Sequence, residues 1–317
     1  MENERIRRYE QAAELLPPRL RRLAMEVPDE RKERAEELRL RVHRPLTVLT
    51  REGELSVLGA EHETTVTSDE LEQMIAGVTE YSRYASAETL RQGFLTVRGG
   101  FRLGVCGTAV LRDGIVWGIK DFSGLALRIV CEQRGIAEGV VPQLFDGAGR
   151  LRSSLILSEP GGGKTTLLRD MVRCISLGSA EYPARRVAVV DERSELAAVW
   201  RGRIQTELGN HTDVLDGCPK AQGIPMVLRS MSPQVIAVDE ITEPADITAM
   251  CAAANCGVAL LATIHAGSLS ELSHKPLWRE LLAAQVFTRA VIISGDGSRR
   301  EYRVEEIPQC SGCSGES

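Results

Sequence analysis

The chain has 317 residues, 43% hydrophobic and 26% charged, with a net charge of -5 and only 4% aromatics. That apolar content at this length supports two domains, while the acidic balance and scarce stacking rings argue against a protein whose main affinity is for nucleic-acid phosphates. No stretch reads as a membrane span or secretory leader: the least polar long window, 247–264, is interrupted by Asn255 and Gly257, and the first eight residues carry acids and lack an apolar core, so a cytoplasmic protein is expected, with peripheral docking on a membrane partner still open.

Residues 5–37 are rich in Arg and Glu with interspersed leucines and predict solvated amphipathic helices, broken at Pro17-Pro18 and Pro28. Residues 38–43 alternate with period two and predict a strand. Ser68 is the expected N-cap of a helix carrying Leu71, Ile75 and Val78, and a second helix is expected over 85–92. Strands follow at 94–97 and 102–105 around a Gly99-Gly100 turn, at 109–111 and 116–119 around Asp113-Gly114, and at 125–130. This first half reads as α+β with an antiparallel sheet.

After a connection over 135–149 the pattern changes. Apolar strands at 154–157, 186–190, 235–238, 258–263 and 290–294 alternate with helical stretches, which predicts an α/β domain with a doubly wound, mainly parallel sheet. A last hairpin, 291–293 to 302–304, should be antiparallel. The expected division is a helical segment over 1–35, a smaller α+β domain over 36–135, an ATPase domain over 136–308 and a disordered tail over 309–317. Of eight cysteines, six stand singly (Cys106, Cys131, Cys174, Cys218, Cys251, Cys256) and read as free buried thiols, while Cys310 and Cys313 fall in the polar tail.

Four segments carry chemistry. Ser158-Glu159-Pro160-Gly161-Gly162-Gly163-Lys164-Thr165-Thr166 joins a strand to a helix, the arrangement that cradles polyphosphate on backbone amides. Lys164 would reach the β- and γ-phosphates, and the Thr165 hydroxyl would hold Mg²⁺. Ser158 stands where the usual pattern has glycine, a departure that matters only if the position needs positive φ. Val235-Ile236-Ala237-Val238-Asp239-Glu240 ends a buried strand in two acids, Asp239 for Mg²⁺ and Glu240 to polarise the attacking water. A third strand ends in Asp191-Glu192-Arg193. These acids could serve the metal's surroundings or a water, and Arg193 could reach a neighbour, with structural ion pairing the alternative. His265, just past a fourth strand, is placed to sense a γ-phosphate, with a structural histidine the alternative.

In this order the segments resemble the secretion-superfamily ATPases of type II and type IV secretion and pilus machines, and most of all the branch serving endospore formation. The resemblance is carried by Val190-Asp191-Glu192-Arg193-Ser194-Glu195, by residues 212–221 and 229–241, and by residues 100–109 in the first half. It implies a C-terminal RecA-like P-loop NTPase domain, ATP as ligand, and assembly into a homo-hexamer. It also implies a mother-cell motor energising inner-membrane channel or secretion proteins at the membrane facing the forespore, with no direct nucleic-acid partner. Arg102 and Arg128 lie in segments matching the first-domain arginines that approach phosphates in such rings. Where that family places a Gly-Arg-like pair after the acids, this chain has Thr242-Glu243, which puts an anion where a cation is expected. Two other classes stay open: a nucleotide-binding structural ring with little turnover, motivated by Ser158 and Glu243, and a nucleic-acid-dependent ATPase.

Overall fold

Proline starts two helices here as well as ending their predecessors. Helix α1 (Glu2–Ala13) is followed by α2 (Pro18–Met25), with Pro18 in the first turn where its missing N–H costs nothing, and by α3 (Asp29–Arg34), with Pro28 as N-cap. The computed structural model describes residues 2–57, 65–79, 93–129, 132–272, 276–295 and 300–308. The helix expected over 85–92, Cys131, and the tail with Cys310 and Cys313 lie outside the described residues. The chain divides into two compact units, 1–131 with 199–205, and 132–198 with 206–317.

The first unit holds a six-stranded antiparallel sheet. Its strands are β1 (Ala35–Arg41), β2 (Thr47–Thr50), β3 (Gly53–Ser56), β4 (Phe94–Val97), β5 (Phe101–Arg112) and β6 (Ile115–Arg128), in the order β3-β2-β1-β6-β5-β4. The helical segment does not stand apart from it. Tyr9, Leu16 and Leu20 share one buried cluster with Leu38, Leu40, Phe101 and Leu127. Four strands expected between 102 and 130 are two long ones. A bulge between Cys106 and Thr108 bends the ribbon without ending it, and Gly107 is needed there because a Cβ would fall 2.6 Å from the Lys120 carbonyl oxygen. Helix α4 (Ser68–Thr79) is capped one residue earlier than predicted. The Thr67 hydroxyl accepts from the Glu70 amide at 3.2 Å while the Glu70 carboxylate accepts from the Thr67 amide at 3.0 Å, a reciprocal capping box.

The second unit is the predicted α/β layer. Its strands are β7 (Ser154–Ser158), β8 (Val187–Asp191), β9 (Thr212–Asp216), β10 (Val235–Val238), β11 (Ala259–His265), β12 (Arg289–Ser294) and β13 (Glu301–Glu306). They lie in the order β13-β12-β7-β11-β10-β8-β9, all neighbours parallel except the β12–β13 hairpin. The edge strand β9 has no wholly buried residue, so no apolar run announced it. Helices α5 (Lys164–Leu177), α6 (Lys220–Ser230) and α7 (Pro244–Asn255) cover the sheet. Leu155, Leu157, Ile236 and Val238 join Ile224, Val227 and Met250 in one apolar cluster beneath α6 and α7. Period two turns Ile156, Val189 and Ala237 to the opposite face, where they are buried, and α5 packs on β7, β8 and β11. Two short helices, α8 (Leu269–Leu272) and α9 (Pro276–Ala283), precede β12. Among the described residues no helix is long and apolar enough to cross a membrane. Of the five described single cysteines only Cys174 is buried, where the sequence reading expected all to be; burial pushes its thiol up to about 11.

Candidate functional site

The turn between β7 and α5 owes its shape to three glycines. Gly161 (φ 76°) and Gly163 (φ 96°) adopt left-handed conformations that side chains resist. At Gly162 a Cβ would lie 2.3 Å from Ser158 Oγ, so the serine at the loop's first position excludes any larger residue there. Ser158 itself is not among the residues with positive φ, and its hydroxyl donates to the Glu159 carbonyl at 2.9 Å. The departure from glycine therefore costs the backbone nothing. Helix α5 begins with no side-chain cap, which leaves the amides of its first turn for a ligand. Glu159, Pro160 and Gly161 are exposed, while Gly162, Gly163, Thr165 and Thr166 are half-buried.

Lys164 is buried at 6% exposure, and its ammonium donates to the Ser158 and Glu159 carbonyls at 3.1 and 3.3 Å. Burial lowers its pKa, against the opposing pull of Glu240 and Asp239. Lys164 Nζ also lies 2.7 Å from His265 Nδ1, and the opposite ring nitrogen, Nε2, lies 3.0 Å from Glu240 Oε1. An ammonium can only donate, so Nδ1 accepts and Nε2 carries the proton that faces the carboxylate. His265 thus joins the loop lysine to Glu240.

Strand β11 separates the loop strand β7 from the acid strand β10, and its side chains bridge the gap. Thr263, wholly buried, donates to Asp239 Oδ1 at 2.7 Å and accepts from the Glu240 amide at 2.9 Å. Thr165 Oγ1 donates to the other carboxylate oxygen, Asp239 Oδ2, at 2.8 Å. Glu240 has φ 23°, a rare conformation for a residue with a side chain and one that costs about 1–3 kcal/mol. Thr263 holds it there. A buried threonine in an otherwise apolar strand was the available signal, and sequence reasoning passed over it.

Glu192 and Arg193 are exposed and line, with Lys220, Asp239, Glu240 and Thr242, a small cavity of about 30 Å³, room for at least one water. Asp191 also borders this cavity, but its carboxylate is committed to the turn that follows it. Its carboxylate accepts from the amides of Glu195, Leu196 and Ala197 at 2.9, 2.9 and 2.8 Å, and burial raises its pKa to about 6. Arg169 of α5 braces the same turn through the Leu196 carbonyl at 2.8 Å, and desolvation lowers its pKa. This turn fixes where Glu192 and Arg193 emerge.

The anion at Glu243, where the resemblance implies a cation, is a helix cap. Its side chain accepts from the third-position amide of α7, and Asp246 Oδ2 accepts from the Thr242 and Glu243 amides, each at 3.2 Å. A cation is supplied instead by Lys220 at the start of α6, which is ion-paired with Glu192 and lies 4.0 Å from Asp246. Arg102 and Arg128 face one another as register partners on β5 and β6 of the first unit, Arg102 over the Phe94 ring at 3.7 Å. A cavity of about 770 Å³ lies at the opposite, amino-terminal strand ends, around Ser153, Gln234 and Thr288, and touches none of the predicted site residues.

A parallel sheet with a glycine loop and an acid pair at its carboxyl ends, preceded in the chain by an α+β unit, is the architecture of the RecA-like secretion ATPases. The solved structures agree in fold: the chain aligns with the Legionella pneumophila ATPase DotB at TM-score 0.55 and 18% identity, covering 87% of this chain and 78% of that one. It aligns with the pilus retraction motor PilT, solved with ADP, at TM-score 0.58 and 17% identity, covering 86% and 79%. The family described as "Sporulation stage III, protein AA" matches residues 6–309, and the chain belongs to that family. A curated relative, stage III sporulation protein AA of Bacillus subtilis, is 36% identical over 285 residues, 89% of this chain and 90% of its own.

Proposed function

We propose that the chain is an ATP-hydrolysing motor subunit that works with an inner-membrane channel or secretion complex in endospore formation. The observation that carries the reading is the connected set Lys164–His265–Glu240 and Thr165–Asp239–Thr263, which ties the glycine loop to the acid pair across one intervening strand. The loop amides and Lys164 bind the phosphates. A hydroxyl and a carboxylate in contact are hard oxygen donors suited to Mg²⁺, which Thr165 and Asp239 would hold and which would neutralise phosphate charge. Glu240, oriented by the His265 Nε2 proton, polarises the attacking water and accepts its proton. Glu192 and Arg193 act at the edge of the same water cavity.

The reading extends to a homo-hexameric ring at the mother-cell face of the membrane around the forespore, with Arg102 and Arg128 as phosphate contacts. Support for the ring comes from the family and from the fold shared with secretion ATPases. Support for the arginines comes from their register, which sets two cations opposite one another on adjacent strands. The alternative of a ring without turnover loses its two motives, since Ser158 is unstrained and Glu243 is a cap.

Steady-state phosphate release with ATP and Mg²⁺ tests the activity. Glu240→Gln is expected to keep ATP affinity and lose at least about 100-fold in rate, because water activation acts on the transition state and not on binding. Lys164→Ala is expected to lose affinity. Equal background release by wild type and Glu240→Gln would end the motor reading.

A further inference from the structure

Arg300 immediately precedes strand β13 and reaches back to the glycine loop. Its guanidinium NH1 lies 2.6 Å from where a Cβ on Gly163 would be, so the group rests directly on that residue. NH2 donates to the Gly161 carbonyl at a long 3.4 Å. The Nε–H is buried and has no hydrogen-bond acceptor among the described residues. A buried donor left without an acceptor is costly, and an anion's oxygen would satisfy it. Gly163 precedes the first turn of α5, whose amides and Lys164 form the anion seat. A guanidinium is a planar fork of donors matched to phosphate oxygens.

The geometry points to Arg300 as a second cation of the phosphate seat, supplied by the β12–β13 hairpin of the same unit and contacting the polyphosphate of bound nucleotide. This rests on the reading of residues 158–166 as a phosphate loop. It also gives Gly163 a second reason to be glycine, since any side chain would displace the arginine as well as strain the left-handed backbone.

The test measures binding of ATP and of inorganic triphosphate to the full-length wild type, Arg300→Ala, Arg300→Lys and Lys164→Ala, with ligand-free melting temperatures alongside. Arg300→Ala is expected to weaken both ligands about tenfold, the size of one charge-assisted hydrogen bond, with an unchanged ligand-free melting temperature. Arg300→Lys keeps the charge and should recover to within about threefold of wild type. If Arg300→Ala binds both ligands like wild type while Lys164→Ala does not, the phosphate seat stands and the role of Arg300 falls. Loss confined to ATP, with triphosphate binding intact, places Arg300 on the nucleoside and overturns the phosphate contact. Should Lys164→Ala also bind normally, the phosphate-loop reading fails first. If Arg300→Ala does not fold, Arg300→Lys decides: triphosphate binding lost as fully as in Lys164→Ala overturns a charge-based contact.

Discussion

Asp191 illustrates how far a residue's chemistry depends on what the fold does with it. As an acid at a strand end it reads like Asp239. In the structure it accepts three amide hydrogen bonds inside the turn 194–197, and burial outweighs them, taking it from an ordinary 3.8 to about 6. Between those values the folded chain holds a proton that the unfolded chain has released. Raising pH through that window strips it, so stability falls from about pH 4 to about pH 6 and then levels off, by at most about 1.4 kcal/mol per unit. Melting temperatures of wild type and Asp191→Asn across pH 4–7 check this. The wild type should lose ground to the variant as pH rises, and a constant difference would mean that the three amides, not burial, govern the group.

Elements are tied together at the site by charge as well as packing. Lys220 at the start of α6 pairs with Glu192 at the end of β8 and approaches Asp246, which closes the cap of α7. A lysine at a helix N-terminus opposes the dipole, so its place there is set by these two carboxylates. Replacing it by Met keeps the length and removes the charge. Glu192 is partly in water, so the stability cost should be only about 1 kcal/mol. ATP affinity should hold, while the steady-state rate should drop about tenfold as Glu192 loses its anchor beside Glu240. Unchanged turnover in Lys220→Met would show that this link serves the fold alone.

For the molecule as a whole, the proposed ring predicts a mass of several chains in solution, stabilised by a non-hydrolysable ATP analogue. Single-chain mass with and without the analogue would rule out assembly by this protein on its own. Chain order and space differ most at 199–205, a short stretch that belongs to the first compact unit although the second unit flanks it on both sides. Nothing in its composition announced that.

What the sequence determined by itself is what local bonding dictates. Strand β10 matches its apolar run residue for residue, the glycines of 161–163 announce left-handed and crowded backbone, and Lys164, Thr165, Asp239 and Glu240 stand at strand ends where parallel sheets gather ligands. Tertiary structure alone decided the rest. His265 faces Lys164 and Glu240, Thr263 holds Asp239 and Glu240, Lys220 pairs with Glu192, and Arg300 covers Gly163, all across elements far apart in the chain. Strand β9 stayed hidden because an edge strand needs no continuous apolar run, and the cap at Glu243 because its amide partners exist only once α7 has formed. A side chain's partners are set by the order in which strands lie side by side, and that order is a property of the closed sheet and not of any one segment.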